Sequence, residues 1–445
     1  MKVISLNGQW NLKFFPQEEG SRCEAIEIPC TVPGNVELDL SAAGILPKDL
    51  FMGDNIRQAE KYETYEWWYS RDFDAPVTNE KIFLHFKGVD CIAEYFLNDE
   101  LIGSSKNALI PIEFDITEKI RDVNNLKVRI KSALLEAYDI DYETYVLKNG
   151  WGLNPESIYI RKPPHCYGWD IMPRAVSAGI WKDAELHLVS DMEIEDISYT
   201  VKSLSEQEAA VKFVYELRLP VNSVGKVKLQ VEGKCGGSSF SFEVTPKFKA
   251  GYVDITIKNP KLWWPYGYGE PNVYNLTAKI IYGDTISTVN TFTLGLRTVE
   301  LRRTDVTDGI NGCFEFIVNG VKVICKGSNW VPMDAYHSRD KERYAKALEL
   351  FSDIGCNIIR LWGGNVYEQE EFYNYCDRHG IMVWQDFTMA CHAYPQDESF
   401  LEVIKDEAKV IIKSLRNHPC IILWSGDNEN DTLLLACGTN PNKNR

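Results

Sequence analysis

Residues 355–387 read GCNIIRLWGGNVYEQEEFYNYCDRHGIMVWQDF, and the fold turns on this stretch. Asn357–Leu361 is a short apolar run of strand length, Glu368–Arg378 repeats its apolar and aromatic residues at helical spacing, and Ile381–Trp384 is a second short apolar run. Moving outward, Val323–Lys326 reads as a strand and Lys341–Ile354 as an amphipathic helix, while Glu402–Ser414 reads as a helix and Ile421–Trp424 as a strand. The order is βαβαβαβ. Strand starts at 323, 357, 381 and 421 recur on average about every 33 residues, the repeat of a (β/α)8 TIM barrel of roughly 250 residues. A doubly wound open sheet also fits this spacing. No GxGxxG or Walker motif follows any of the strands, so its nucleotide-binding form lacks support.

Before residue 300 the period changes. Segments such as Lys81–Phe86, Glu94–Leu97 and Leu126–Ile130 carry Val, Ile, Phe and Tyr, and turn chemistry at Asn98-Asp99, Asn124-Asn125 and Lys148-Asn149-Gly150 separates such segments. This part reads as all β. The chain leaves one β block around Ser190–Asp196, and Tyr199–Thr293 has the length and strand density of a smaller sandwich. The expected organisation is a jelly roll over 1–190, an immunoglobulin-like β-sandwich over 191–298 and the first half of a barrel over 299–445.

Composition narrows the function classes. With 445 residues, 44% apolar and 25% charged, the chain is ordinary globular protein with room for about three domains. A net charge of −16 argues against nucleic acid, which needs a basic face to release counterions. No run approaches the roughly 18 apolar residues of a membrane span. The 12 Trp and 22 Tyr suit stacking on sugar faces as well as filling β cores. The 12 cysteines show no CxxC pair and no zinc-type spacing, so they read as reduced core thiols. With Met1 as the natural start and no export signal, the expected compartment is the cytoplasm; a trimmed leader would overturn this.

Barrel enzymes build their sites at the C-terminal ends of the strands. Those ends are Gly327-Ser-Asn-Trp-Val-Pro-Met-Asp334, Arg360-Leu-Trp-Gly-Gly-Asn365, Trp384-Gln-Asp-Phe387 and Leu423-Trp-Ser-Gly-Asp-Asn-Glu-Asn-Asp431. They bring Trp, Arg, Asp, Asn and Glu to one rim, a set that folding alone does not require.

In this order the motifs resemble glycoside hydrolase family 2 along the whole chain. Leu6-Asn-Gly-Gln-Trp10, Val32-Pro-Gly-Asn-Val36, Gly88-Val-Asp90, Tyr95-Phe-Leu-Asn98, Gly103 and Ser177-Ala-Gly-Ile-Trp181 are similar to the family's sugar-binding jelly roll. The Lys261-to-Pro271 segment and Gly295-Leu-Arg-Thr298 are similar to its sandwich end, and Ile317-Val-Asn-Gly320 with Lys326-Gly-Ser-Asn-Trp330 to its approach to the barrel. Arg360-Leu-Trp-Gly-Gly364, Trp384-Gln-Asp-Phe387, Ala390-Cys391, Tyr394-Pro395 and Trp424-Ser-Gly426 ahead of Asn428-Glu429 resemble the β-mannosidase branch.

The resemblance implies a retaining glycoside hydrolase that releases terminal β-D-mannose from an oligosaccharide or other β-mannoside and uses no cofactor or metal. It places the general acid/base on Glu429 and the residue holding the sugar 2-hydroxyl on Asn428. Protonating a leaving oxygen needs one carboxyl protonated near neutral pH and a second carboxylate about 5–5.5 Å away to attack the anomeric carbon. Asp170, in Gly168-Trp-Asp170, is expected to reach the sugar from the jelly roll, although Ile171-Met172-Pro173 stands where the branch has a second Trp and a Gly. Trp362 is expected to wall the subsite and Arg360 to lie beside the nucleophile. Asp427 and Asp431 flank Glu429 without entering the site, and His165 and His392 receive no role.

At about 33 residues per repeat, the nucleophile after strand seven is expected near residue 530, beyond Arg445. The expectation is therefore a fragment, inactive alone, whose half barrel leaves two edges unpaired and tends to associate. Alternatives are a β-glucosaminidase, a β-galactosidase or a non-catalytic carbohydrate-binding protein. Oligomeric state is open.

Overall fold

The computed structural model describes residues 2–18, 22–142, 155–304 and 312–432. The N-terminal part is two antiparallel sheets. One contains, in order, Lys2–Ser5, Ala184–Val189, Lys81–Phe86 and Ile112–Asp115; the other contains Ile26–Val32, Gly8–Pro16, Tyr65–Asp74, Val123–Lys131, Ile92–Leu97 and Glu100–Ser105. Alternation along Val123–Lys131 sends Leu126, Val128 and Ile130 inward, where they meet Trp10, Phe14, Trp67 and Tyr95 in one core. Helical turns interrupt the β pattern at Val36–Ala42, Asn55–Tyr62, Ala133–Tyr138 and Glu156–Tyr159, so the expectation of β alone is corrected there. Lys148-Asn149-Gly150 lies outside the described residues.

The second part pairs a three-stranded sheet (Glu193–Leu204, Glu208–Arg218, Ala250–Lys258) with a four-stranded one (Ser238–Val244, Val227–Cys235, Tyr274–Tyr282, Thr285–Leu294). Phe213, Leu229, Leu276 and Ile280 belong to its separate core. Its end is fastened to the third part by the aromatic segment before Pro271. There the buried Trp263 donates its indole N–H to the Asp377 carbonyl at 2.7 Å, and the Tyr266 amide donates to the Gly380 carbonyl at 2.8 Å. Gly380 caps its helix at φ 70°, and a Cβ there would lie 2.7 Å from the Tyr266 nitrogen.

The third part is parallel β alternating with helix: β1 (Gly327–Trp330), α1 (Asp340–Asp353), β2 (Ile358–Leu361), α2 (Glu370–His379), β3 (Met382–Asp386), α3 (Glu398–Leu415) and β4 (Ile421–Ser425). The spatial order 1-2-3-4 runs without reversal, which is the winding of a barrel and not of a doubly wound sheet. Helix α3 begins at Asp397, whose carboxylate accepts the Phe400 amide at 2.9 Å. The first strand lies later than Val323–Lys326. Asn319 and Gly320 take positive φ and turn Val321–Val323 back onto Phe314–Val318 in a small antiparallel sheet, so Gly327–Trp330 pairs with β2. Among the described residues no helix is long and apolar enough to cross a membrane, and every cysteine is a free thiol.

Candidate active site

Parallel register sets Arg360 of β2 beside Asn329 of β1 and Trp384 of β3. The Arg360 guanidinium forks onto Asp386, with Nη2 2.6 Å from Oδ2 and Nε 3.3 Å from Oδ1. Nη2 also donates to Asn428 Oδ1 at 2.8 Å, and Nη1 reaches Asn329 Oδ1 at 3.4 Å. Asp386 is fully buried and accepts the Gly363 amide at 3.1 Å as well. Burial raises its carboxyl above the usual range, and the Arg360 bonds oppose that shift only in part.

Arginine can only donate, so the Asn428 carbonyl must face Arg360 and its amide nitrogen must face away. That nitrogen lies 3.3 Å from Cys391 Sγ, and the same sulfur lies 3.2 Å from Glu429 Oε2. Burial first, then the neighbouring Glu429, pushes the Cys391 thiol up to about 12, so it keeps its proton and donates it to Glu429. A chain of hydrogen bonds thus runs Asp386–Arg360–Asn428–Cys391–Glu429. The backbone supports it: Asn428 N–H donates to the Met389 carbonyl at 2.9 Å, and Cys391 N–H to the Asn428 carbonyl at 2.8 Å. Cys391 and Glu429 sit at φ 49° and 62°, a left-handed conformation that costs non-glycine residues on the order of 1–3 kcal/mol. Asn428 is buried beneath the rim, while Glu429 is exposed on it.

An aromatic wall packs against Ala390 and Cys391. Trp362 is buried, and the Trp169 ring from the jelly roll meets it edge-on, 5.2 Å between centroids at 66°. The two glycines after Trp362 make room for this. A Cβ on Gly364 would lie 2.1 Å from the Trp362 ring, and one on Gly363 would lie 2.5 Å from the Met389 carbonyl oxygen. Asp170 is exposed beside Trp169, close enough to Cys391 that its charge raises the thiol further.

The loop carrying Trp169 and Asp170 is anchored at its base. Arg161 is buried and forks onto Glu407 of α3 (Nη2 to Oε1 2.7 Å, Nε to Oε2 2.9 Å), and also donates to the Thr388 carbonyl at 2.9 Å. Asn107 and Tyr367 add bonds to Glu407 at 2.8 and 3.0 Å. Farther along, Arg174 grips Glu63 at 2.6 Å.

Glu429, Asn428 and Arg360, expected from sequence, therefore share one network, and Asp170 and Trp362 meet them at the same rim. Asp427 is half-buried, its carboxyl raised by burial, and it accepts the Asn430 amide at 3.1 Å; Asp431 is exposed. Sequence reading gave no role to Asp386, Cys391 or Trp169, although each lies in a motif quoted for the family. It missed Arg161 and Glu407 altogether, for which a basic residue and an acid 246 positions apart leave no local signal.

Residues 10–182 match the galactose-binding domain-like region of glycosyl hydrolase family 2, residues 192–297 the family 2 domain that follows, and residues 311–441 the family's TIM barrel domain. The chain belongs to glycosyl hydrolase family 2. Within that family it is similar to β-mannosidases. It is 30% identical to the β-mannosidase of Rattus norvegicus over 97% of this chain and 50% of that protein. It is 29% identical to β-mannosidase B of Thermothelomyces thermophilus over 96% of this chain and 50% of that one. Its structure superposes on the β-D-mannosidase of Dictyoglomus thermophilum with a TM-score of 0.86 and 32% identity, covering 97% of this chain and 52% of that one. The chain spans about half the length of the curated relatives it matches.

Proposed function

We propose that this chain carries the sugar-binding and acid/base portion of a retaining exo-β-mannosidase. The observation that supports it best is the wiring of Glu429: a carboxyl exposed at the barrel rim, held through Cys391, Asn428 and Arg360 to a buried Asp386. In this reading Glu429 gives its proton to the leaving glycosidic oxygen as a second carboxylate attacks the anomeric carbon. In the second step Glu429 takes a proton from water as that water displaces the carboxylate, with net retention. Asn428 holds the 2-hydroxyl, Trp362 walls the subsite, and Asp170 accepts hydroxyls on the far side of the sugar.

Arg360 can neutralise the attacking carboxylate while it holds Asp386. We place that nucleophile after a later barrel strand, outside these 445 residues, so the chain alone binds sugar without turning it over. The test is hydrolysis of an aryl β-mannoside by the 445-residue chain and by a polypeptide that continues the barrel. The expected result is background with the first and retention of configuration with the second. Turnover by the shorter chain would refute the placement of the nucleophile, and a continued barrel that cleaves β-galactosides in preference to β-mannosides would refute the specificity.

A further inference from the structure

Away from the sugar site, the jelly roll and the barrel meet at a buried cluster of nitrogen and sulfur ligands. His165 and Cys166 lie in the turn Pro164–Tyr167, and His337 opens the turn His337–Arg339 that leads into α1. All three are buried. The two Nε2 atoms are 2.8 Å apart, Cys166 Sγ lies 3.9 Å from His165 Nε2, and all three ligand atoms fall within 4.8 Å of one another.

We infer that His165, Cys166 and His337 form a zinc site that ties the Trp169–Asp170 loop to the first helix of the barrel. The chemistry of the set is that of zinc, which takes imidazole nitrogen and thiolate sulfur together in tetrahedral geometry. With Zn–N near about 2.05 Å and Zn–S near about 2.3 Å, tetrahedral angles put N···N at about 3.3 Å and S···N at about 3.5 Å. The His165–His337 and Cys166–His165 spacings, 2.8 and 3.9 Å, meet those values after shifts of about half an ångström, and Cys166 and His337 are within 4.8 Å. The outer layer is in place for His337, where Asp340 Oδ2 lies 2.6 Å from Nδ1, the carboxylate–histidine pairing that directs Nε2 at a metal; His165 Nδ1 is buried without a partner among the described residues.

Beside Cys166 and His337 a cavity of about 10 Å3, also lined by Asp90, Ser177 and Trp181, has room for one water as fourth ligand. Charge is balanced around it. Lys162 is buried nearby and is paired with Asp90, so the divalent ion, one thiolate and the Asp340 carboxylate leave little net charge in the interior. Binding releases the Cys166 proton and any second proton held between the two imidazoles, and no redox step is involved.

The inference is independent of the sugar reading, and its test needs no activity. The 445-residue chain, stripped with chelator and reloaded with zinc, is expected to hold one ion per chain and to melt at higher temperature. X-ray absorption at the zinc edge should show one sulfur and two or three nitrogen or oxygen neighbours. Reloading with cobalt should give tetrahedral d–d bands and a thiolate charge-transfer band. Cys166→Ser should abolish the latter, and Asp340→Asn should weaken zinc binding about 10- to 100-fold. His187→Asn should change neither, because His187 belongs to the separate cluster with His85 and Glu113.

No stoichiometric zinc, an edge spectrum without sulfur, or a cobalt spectrum that survives in a folded Cys166→Ser chain would each overturn the site. The first of these would leave only a proton shared between His165 and His337. Because the edge spectrum is taken on the unmutated protein, failure of a variant to fold does not shield the inference.

Discussion

Replacing Glu407 by glutamine tests what holds the jelly-roll loop on the barrel. The Glu407 carboxylate accepts two bonds from Arg161, one from Asn107 and one from Tyr367, with Glu407 and Arg161 side chains only 3% exposed. A glutamine fits the space but turns one oxygen into a donor, so whichever way the amide faces, two of those four donors lose their acceptor. Each unmet buried donor costs about 1–3 kcal/mol. The Arg161 charge also loses its counter-ion, and breaking a buried pair from one side typically costs about 3–5 kcal/mol in all. This is a large share of the roughly 5–15 kcal/mol that keeps a domain folded.

The double variant Arg161→Met/Glu407→Leu removes both charges, leaving Asn107 and Tyr367 without that acceptor and the Thr388 carbonyl without the Arg161 donor. It is expected to be less damaged than Glu407→Gln. The assay is urea unfolding followed by two probes, because a chain of several domains need not unfold in one step, together with amide exchange across residues 155–174. Exchange there should accelerate in Glu407→Gln while the sandwich is unaffected. A Glu407→Gln loss under about 1 kcal/mol, or a double variant worse than the single, would refute the reasoning.

Two further outcomes follow from the same geometry. In a polypeptide that completes the barrel, Cys391→Ala strands the Asn428 amide and removes the donor to Glu429, so kcat/KM should fall about tenfold, while Cys391→Ser keeps both bonds and should stay within about threefold; equal losses would show that the sulfur only packs. On the outer face of the jelly roll, hydrogen bonds from His187 and then His85 hold Glu113 down at about 2, whereas burial lowers the His187 pKa and its bonds to Glu113 and Glu185 more than restore it, so that it ends raised. The raised histidine stabilises below its unfolded pKa and loses that contribution as pH rises through its folded value; the lowered carboxylate stabilises above its unfolded pKa and loses it as pH falls toward 2. The cluster therefore contributes most between about pH 4.5 and 6.5, and His187→Asn should cost more stability near about pH 5.5 than near about pH 9, as urea titrations at the two values would show.

What the sequence disclosed and what it hid separate by range. Strands β2, β3 and β4 are short apolar runs between helices of clear period, and they fall where the pattern puts them. Strand β1 does not, because Gly327-Ser-Asn-Trp330 has one large apolar residue and the stronger β signal at Val321-Lys-Val323 is taken by the hairpin turn at Asn319-Gly320. The short helix Val36–Ala42 was hidden among strands because its seven residues span only about two turns, too few for a period to register. At the site, rim position brought the segments of Arg360, Asn428 and Glu429 together and the family resemblance singled these residues out, yet their shared partners did not show. Asp386 and Cys391 could be quoted from motifs, but their bonds depend on strand register and on two left-handed residues, which no spacing encodes.

Glu429 as the proton donor is the central assignment, and Glu429→Gln in a polypeptide with the barrel complete tests it most directly. With an unactivated aryl β-mannoside the rate should fall by about 10²–10⁴-fold, the usual contribution of a general acid. A dinitrophenyl β-mannoside needs no protonation to leave, so the first step should survive, the glycosyl-enzyme should accumulate, and azide should restore turnover as β-mannosyl azide. Equal slowing of both substrates, with no rescue by azide, would contradict the assignment.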